Sequence, residues 1–309
     1  MSRIHDLVLT HGRDVARSMV STKHEKLAID MAAEILAEES ERLGITHSGF
    51  CLTALPYKDC KQPLWRKEGH KVTLLVESGR DRNEDYIGIP YGAKARVQLL
   101  YLQTRAIQTN NPVVELGGSL HEFLRRVGIS VGGSQYAEIR KQARRISACR
   151  LTFLEEDEVS EKRSNGAFVE NAIHFKEKND ARQGTLWQDT VELNGTFFKK
   201  LKEHPVPVWE PALRQIIDLP VAIDIYIWLA YRLHAIDAPT SISWLSLHQQ
   251  FGGSYKAVRQ FRPEFLRNLT FALAVYPEAK VEEGKGGLVL HPSRPPIPES
   301  VPYLPWRKR

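Results

Sequence analysis

Two segments of the chain follow the same residue pattern. SLHEFLRRVGISVGGSQYAEIRKQARRI occupies positions 119–146, and SLHQQFGGSYKAVRQFRPEFLRNL occupies positions 246–269. Both begin with Ser-Leu-His, reach Gly-Gly-Ser and then enter a stretch rich in arginine and lysine. Because paired glycines punctuate an otherwise helical pattern, each copy is predicted to form a helix, a turn and a second helix. A chain that carries this pattern twice is expected to contain two domains of one type.

The segments around the first copy predict further elements. A helical pattern starts at Pro90, since proline is favourable at a first helical position, and a short strand covers 113–116. After the repeat come the strand-like segment 150–157, a polar connector and the strand-like segment 167–175. Helix, strand, helix, turn, helix, strand, loop and strand is the order of elements in a winged-helix domain.

The second copy has flanking segments in the same order. An apolar helix is predicted over 219–233, a short strand over 241–243, and a third helix from Ser254 onward. The segments AKVEE and LVLHP then flank GKGG, which predicts a hairpin with a glycine-rich tip. The predicted fold class is therefore α+β, with two tandem winged-helix domains and an N-terminal helical extension.

We expect four parts along the chain. They are the N-terminal helical extension (1–44), a first winged-helix domain with extra strands at 49–56 and 70–77 (45–205), a second winged-helix domain (206–294) and a proline-rich basic tail (295–309).

The N-terminal extension is predicted to contain one well-marked helix. Thr22 and Glu25 have the spacing of a capping box, and Gly44 is placed as a terminator. Leu27, Met31 and Ile35 form an apolar stripe on an otherwise acidic helix. Packing against its own domain is the first interpretation of this stripe, and contact with a second copy in a homodimer is the alternative.

In the first copy, the helix after the turn has two contrasting faces. At about 100° per residue, Ile139, Ala143 and Ile146 share one face. Opposite them project three cations, with Arg140 at the edge: Lys141, Arg144 and Arg145. A solvated helix face normally mixes charges of both signs, so a face that is almost purely cationic suggests an anionic partner.

The corresponding helix of the second copy has the same division. Its apolar face is defined by Val258, Phe261, Phe265 and Leu269. The side chains that point away from this apolar face are Lys256, Gln260 and Arg267, with Arg259 flanking them. Arg262 is expected nearer the buried side.

Arginine can fork onto guanine O6 and N7, and glutamine onto adenine, so these faces are suited to reading duplex DNA. Winged-helix units also occur as protein-binding or purely structural modules, which is the competing interpretation. The predicted DNA contacts are Ser134, Gln135, Tyr136, Arg140, Lys141, Arg144, Arg145, Lys162, Arg163, Ser254, Tyr255, Lys256, Arg259, Gln260, Arg267 and Lys285.

Other features narrow the class of protein. The formal net charge is +6, no apolar run approaches the ~18 residues that span a bilayer, and the N-terminus has no secretory pattern. Three cysteines fit a reducing cytoplasm better than a disulfide framework. His47, Cys51, Cys60 and His70 match no compact zinc pattern. No nucleotide-binding glycine loop occurs, so we expect no ATP-driven unwinding by this chain. Without a metal-binding pattern either, we expect no enzymatic activity, no cofactor and no metal.

Several segments, in order from about Gly49 onward, form one extended pattern: IGIPYGAKARVQLLYLQTRAI, the two repeat units, HPVPVWEPALRQIIDLPVAIDIYIWLAYRL and AVYPEAKVEEGKGGLVLHPS. With these segments the chain resembles the RepA family of plasmid replication initiators. The resemblance implies two winged-helix units that bind direct repeats (iterons) in double-stranded origin DNA and open the origin for the host initiator and replicative helicase machinery. It also implies repression of the initiator's own gene, in the bacterial cytoplasm.

Two other functions are weighed against this one. A winged-helix transcriptional repressor would use the same faces on an inverted site. A nicking enzyme of rolling-circle replication would need a pair of histidines for a metal and a tyrosine nucleophile, but no His-hydrophobe-His triplet exists among the eleven histidines.

Overall fold

The computed structural model describes residues 3–129, 133–156, 161–173, 190–253 and 255–297. The helices in these ranges are α1 (Arg3–His11), α2 (Arg13–Ser18), α3 (Lys23–Leu36), α4 (Ser48–Leu52), α5 (Gly92–Thr109), α6 (Gly117–Arg126), α7 (Gly133–Ala148), α8 (Gly195–Glu203), α9 (Glu210–Gln215), α10 (Pro220–Arg232), α11 (Trp244–Phe251) and α12 (Val258–Ala274). The strands are β1 (Leu43–His47), β2 (Leu64–Glu68), β3 (Val72–Glu77), β4 (Val113–Glu115), β5 (Arg150–Glu156), β6 (Glu161–Ala167), β7 (Val169–Ile173), β8 (Thr190–Leu193), β9 (Pro205–Trp209), β10 (Thr240–Ser243), β11 (Lys280–Gly284) and β12 (Gly287–His291). This mixture confirms the α+β class. Among the described residues, no helix combines the length and apolar character needed to span a bilayer.

The chain divides into two compact units. The terminal unit comprises Met1–Gly44, Phe50–Ala54 and Val206–Arg309, and the central unit comprises Ile45–Gly49 and Leu55–Pro205. The first copy of the repeat lies in the central unit and the second in the terminal unit. Residues 1–44, expected as a separate extension, share a unit with the second copy.

In the terminal unit, the elements around the second copy follow the predicted order. Helix α10, strand β10, helices α11 and α12 and the hairpin β11–β12 succeed one another, and the antiparallel sheet has the order β10-β12-β11. The hairpin pairs Gly284 with Gly287, which places Lys285 at its tip. Phe251, Phe261 and Phe265 are fully buried, and the Phe265 ring packs at a tilt against the other two rings, so aromatic packing holds α11 against α12.

The N-terminal helices also belong to the core of the terminal unit. The capping box of Thr22 and Glu25 is confirmed, but α3 ends at Leu36 and not at Gly44. Met31 and Ile35 are buried, and α3 packs against α12, which agrees with internal packing of the stripe. Leu27 is 43% exposed, so internal packing covers Met31 and Ile35 but not the first residue of the stripe. Helices α1 and α2, which the sequence did not predict, pack on α3.

The central unit contains two antiparallel sheets, with strand orders β2-β3-β5-β6 and β4-β8-β7. The predicted strands at 70–77 and 113–116 are confirmed as β3 and β4. The strands predicted at 150–157 and 167–175 are present as β5 and β7, but the expected polar connector contains a further strand, β6. Strand β5 pairs with β6, and β7 pairs with β8. The strand predicted at 49–56 is wrong, since helix α4 occupies its first half and residues 53–56 form no strand.

Helix α5 is the central support of this unit. It begins at Gly92 instead of Pro90 and buries residues around most of its circumference. Arg96 donates to the carbonyl oxygens of Leu55 at 2.8 Å and Pro56 at 3.2 Å, and Gln98 Nε2 donates to the Ile139 carbonyl at 3.1 Å. Because Ile139 lies on α7, the bond from Gln98 fixes α7 against α5 and determines which face of α7 stays exposed.

Candidate nucleic-acid interface

Helix α7 presents a cationic face to solvent. Ile139 and Ile146 are buried at 1% and 2% exposure, which confirms the predicted core face. Arg140, Lys141 and Arg144 are exposed, as predicted. These three cations therefore lie on one surface of a helix that is held in place by its opposite side.

Each cation of this face has a neighbour that restricts it. Lys141 Nζ donates to the Tyr91 hydroxyl at 3.0 Å and lies 3.6 Å from a carboxylate oxygen of Glu138. The bond to Tyr91 raises the pKa of Lys141 above its ordinary value, so the ammonium stays charged. Arg144 Nη2 lies 3.6 Å from Asp81 Oδ2, and the Arg140 guanidinium lies 5.9 Å from the centre of the Tyr136 ring. The charges are thus held near fixed positions on the surface.

The prediction that Arg145 lies on the exposed face is wrong. Its side chain is 9% exposed, and Nη1 donates to the Ile89 carbonyl at 2.9 Å while Nη2 pairs with Asp59 at 3.0 Å. Gly88 has φ +101°, and a Cβ there would lie 2.7 Å from the Arg145 guanidinium. Helical projection placed Arg145 away from the core of α7, but the segment before α5 folds over that side and covers it. Arg145 is therefore a buried residue that links α7 to the segment before α5, and it does not belong to the exposed face.

The Arg145–Asp59 pair changes the acidity of Asp59. Partial burial alone would raise the pKa of this carboxyl, but hydrogen bonds from Arg145 and Lys61 lower the pKa to about 2. Asp59 is consequently ionised at any physiological pH, and the pair stays intact.

The segment 78–91 is a part of this surface that the sequence did not identify. It runs along α7: a Cβ on Gly79 would lie 2.3 Å from the Ala148 carbonyl oxygen, and the Tyr91 amide donates to Gln142 at 2.9 Å. Arg80 lies 4.1 Å from the centre of the Tyr86 ring, and both residues are exposed. The only hint in the sequence was the run GRDRNEDY, in which charges of both signs alternate with polar residues.

In the terminal unit, α12 presents the second candidate surface. Phe261, Phe265 and Leu269 are buried as predicted, and the predicted outward residues are exposed: Arg259, Gln260 and Arg267. Arg267 pairs with Glu264 one turn earlier on the same helix. The two surfaces thus share exposed cations on a helix whose other side is apolar.

Arg262 differs from its prediction. It was expected nearer the buried side, yet its side chain is 45% exposed and pairs with Glu283 of β11 at 2.5 Å. Its guanidinium also lies 4.9 Å from the centre of the Trp244 ring. Arg262 therefore links α12 to the hairpin and to α11.

The turn of the second copy explains why histidine and glycine occur together in its pattern. His248 Nε2 lies 2.8 Å from the Tyr255 carbonyl oxygen, and since a carbonyl only accepts, the imidazole must donate. A Cβ on Gly252 would lie 2.3 Å from the His248 carbonyl oxygen and 2.6 Å from its ring. The histidine thus bridges the turn, and the absence of a side chain at Gly252 makes room for it. The same positions of the first copy, the His121 side chain and the turn at 130–132, lie outside the described residues.

We expect Gly252→Ala to lower the free energy of unfolding by about 1–3 kcal/mol, because the new methyl group has to displace His248 or the end of α11. Gly286→Ala is the matched control, since a Cβ at that hairpin position meets nothing within 4 Å. Urea unfolding of both variants makes the comparison. Equal stability of the two variants would show that the close approach at Gly252 does not affect the free energy of unfolding.

The remaining predicted contacts have mixed outcomes. Gln135 is exposed and Tyr136 half-buried near the start of α7. Tyr255 and Lys256 are exposed but precede α12, which begins at Val258 and not at Ser254 as predicted. Lys285 is exposed at the hairpin tip. Ser254 and the side chains of Ser134, Lys162 and Arg163 lie outside the described residues.

No metal centre is assembled in the described part of the chain, where no group of three or more His, Cys, Asp or Glu residues is placed to hold an ion. His47, from the weak zinc pattern, is buried at 3% exposure. Burial, with smaller effects of Lys200 and His204, lowers the pKa of His47 to about 3, so the ring is neutral. The thiols of Cys51, Cys60 and Cys149 form no disulfide.

Comparison with solved structures places the fold. A crystal structure of selenomethionine derivatives of domains 2 and 3 of RctB has a TM-score of 0.51 at 14% sequence identity, covering 78% of this chain and 93% of that chain. A second crystal structure, of RctB domains 2–3, has a TM-score of 0.49 at 15% identity with the same coverage of each chain. The first likeness supports a shared fold.

Comparison with sequences gives the family. No curated protein matches the chain. The model of the family described as "Plasmid encoded RepA protein" matches residues 89–245, which is more than half of the 309 residues and includes α5, α6, α7, α10 and β10. Together with the resemblance noted from the sequence, this match shows that the chain belongs to the RepA family of plasmid replication initiators.

Proposed function

We propose that this chain initiates plasmid replication by binding direct repeats in double-stranded origin DNA through two winged-helix units. The observation that carries the proposal is the exposed cationic face of α7 in a chain of the RepA family. Arginine and lysine on one helix face suit both phosphate contacts and base edges in a major groove.

Both units are assigned as winged-helix domains within this proposal. In the terminal unit, the order α10, β10, α11, α12 and hairpin β11–β12 supports the assignment, with α12 as recognition helix and Lys285 on the wing. In the central unit, α5, α6 and α7 supply the corresponding helices, with α7 as recognition helix, and β5–β6 supplies the wing. Strand β4 follows α5 as β10 follows α10, but it pairs with β8 and not with the wing hairpin. Extra strands β2 and β3 extend the sheet of that wing.

The proposed contacts are those the structure leaves exposed. These contacts are cationic and amide side chains from both units: Gln135, Arg140, Lys141, Arg144, Lys256, Arg259, Gln260, Arg267 and Lys285. Tyr136 and Tyr255 add aromatic surface beside them. Lys162, Arg163, Ser134 and Ser254 remain candidates for phosphate contacts, and Arg145 is withdrawn because it is buried.

In this proposal the protein uses the free energy of binding to deform DNA, and it makes or breaks no covalent bond. Two recognition helices on one chain contact successive major grooves and deform the duplex between them, which favours its opening for the host initiator and replicative helicase. The same surface, placed on the promoter of its own gene, would repress transcription. The site of action is the bacterial cytoplasm, a reducing compartment in which thiols such as those of Cys51, Cys60 and Cys149 are kept out of disulfides.

Binding to a supercoiled plasmid that carries the parent origin tests the proposal. We expect a gel shift that depends on the origin repeats, local unpairing detected by permanganate, and no nick after incubation with magnesium. A nicked product would instead support a rolling-circle enzyme. Binding without unpairing, on an inverted site, would support a transcriptional repressor.

A further inference from the structure

We infer that Asp81 is a positioning residue for base recognition: it orients Arg144 toward a base edge and disfavours contact of Arg144 with phosphate. The inference rests on the proposed function of α7 as a recognition helix. Asp81 lies outside both repeat copies, on the segment 78–91, and the sequence alone gave no reason to connect it with Arg144.

The two oxygens of the Asp81 carboxylate have different surroundings. Oδ1 accepts hydrogen bonds from the amides of Asn83 at 2.9 Å and Asp85 at 3.2 Å. Oδ2 lies 3.6 Å from Arg144 Nη2, an ion pair longer than a hydrogen bond. One oxygen therefore fixes the carboxylate to its own loop, and the other directs the guanidinium.

The loop that carries Asp81 is itself fixed to the protein. The Asp81 amide donates to the Asp85 carbonyl at 2.9 Å, and the Gly88 amide donates to Ser78 Oγ at 2.8 Å. The glycine backbones at Gly79 and Gly88 place both ends of the loop close against α7, beside Ala148 and Arg145. Arg144 is thus paired with a rigid anchor and not with a flexible surface acid.

Stability alone does not account for such a pair. The Arg144 side chain is 63% exposed, and an exposed ion pair adds little to folding. On a surface that meets DNA, a carboxylate also repels phosphate. The pair does have a use in recognition, because it restricts a long side chain before binding and leaves most of the guanidinium donors available for guanine O6 and N7.

The terminal unit has a similar arrangement, which supports the interpretation. Arg267, outward-facing on α12, pairs with Glu264 of the same helix. Both candidate recognition helices therefore have an arginine next to a carboxylate on the face proposed to meet DNA.

The test compares Asp81→Asn with wild type on two duplexes of equal length and composition, an origin repeat and its scrambled version. Asparagine keeps the oxygen that accepts the two loop amides and removes the charge. We expect affinity for the repeat to fall about tenfold, because a well-placed fork onto guanine is lost, and affinity for the scrambled duplex to rise severalfold, because Arg144 can then reach a phosphate. Opposite changes on two duplexes cannot arise from partial unfolding.

Two further variants complete the experiment. Glu203→Gln on α8 removes one exposed carboxylate elsewhere in the central unit and should change both affinities equally and slightly. In an Arg144→Ala background, Asp81→Asn should no longer lower affinity for the repeat. An Asp81→Asn variant that behaves like Glu203→Gln, or that keeps its effect without Arg144, overturns the inference while leaving the proposed function intact. A wild type that does not prefer the repeat overturns both.

Discussion

Replacing Arg140 and Arg144 together by alanine is expected to lower affinity for an origin repeat about a hundredfold or more, while the protein remains folded. The two residues are one helical turn apart on the exposed face of α7. Each contact to a base edge is worth about 1–3 kcal/mol, and each 1.4 kcal/mol is a factor of ten in affinity. Exposed side chains contribute little to folding, so the thermal midpoint should change only slightly. Fluorescence anisotropy with a labelled repeat measures the loss.

The control for this variant removes the same charge from another helix. Lys199 and Lys202 are exposed on α8 of the same unit. Changing both to alanine lowers the net charge by the same amount, and we expect a loss of affinity of only a few fold through the general electrostatic field. If the two double variants lose affinity equally, the α7 face has no special role and only the net charge of the unit attracts DNA.

The second large effect concerns stability: Arg145→Met should lower the free energy of unfolding by about 3 kcal/mol, the low end of the range for breaking a buried ion pair. Methionine fills much of the space of the arginine side chain. It removes the donor to the Ile89 carbonyl, and it leaves Asp59 with Lys61 as its remaining basic neighbour. Arg144→Met is the matched control on the adjacent position, where 63% exposure predicts a change below about 0.5 kcal/mol. Chemical denaturation of both variants measures the difference.

The pH dependence of the same variant gives an independent check. The pKa of Asp59 is lowered from 3.8 to about 2 in the folded protein, so the stabilisation from its ionised form is complete above pH 3.8 and is lost as the pH falls through 2. The stability difference between wild type and Arg145→Met should therefore shrink as the pH falls from 4 toward 2. A difference that stays constant across this range would mean that the Asp59 pair is not its cause.

The sequence was most informative where local pattern and tertiary packing agree. The elements around the second copy were predicted in order, because the apolar positions of α12 face the same phenylalanine core that holds α11. The capping box of Thr22 and Glu25 was equally recognisable, since a cap depends only on residues three apart.

The errors occurred where a distant segment decides the environment. Arg145 projects away from the core of α7 on a helical wheel, yet Ile89 and Asp59 lie 56 and 86 positions away in the chain and enclose it. The pairing of β5 with β6, and of β7 with β8, likewise depends on which strands meet, which periodicity alone does not determine. Asp81 was missed for the same reason, since its position beside Arg144 is a tertiary contact.

A hydroxyl-radical footprint of wild type on the parent plasmid's origin shows whether two recognition helices of one chain bind direct origin repeats. We expect protection of several tandem direct repeats. Each repeat should show two protected zones on one side of the duplex, about 10–10.5 bp apart, because adjacent major grooves recur at that spacing. Arg140→Ala with Arg144→Ala should weaken one zone of every repeat, and Arg267→Ala the other. A single inverted site, or protection with no preference for the repeats, would contradict the account.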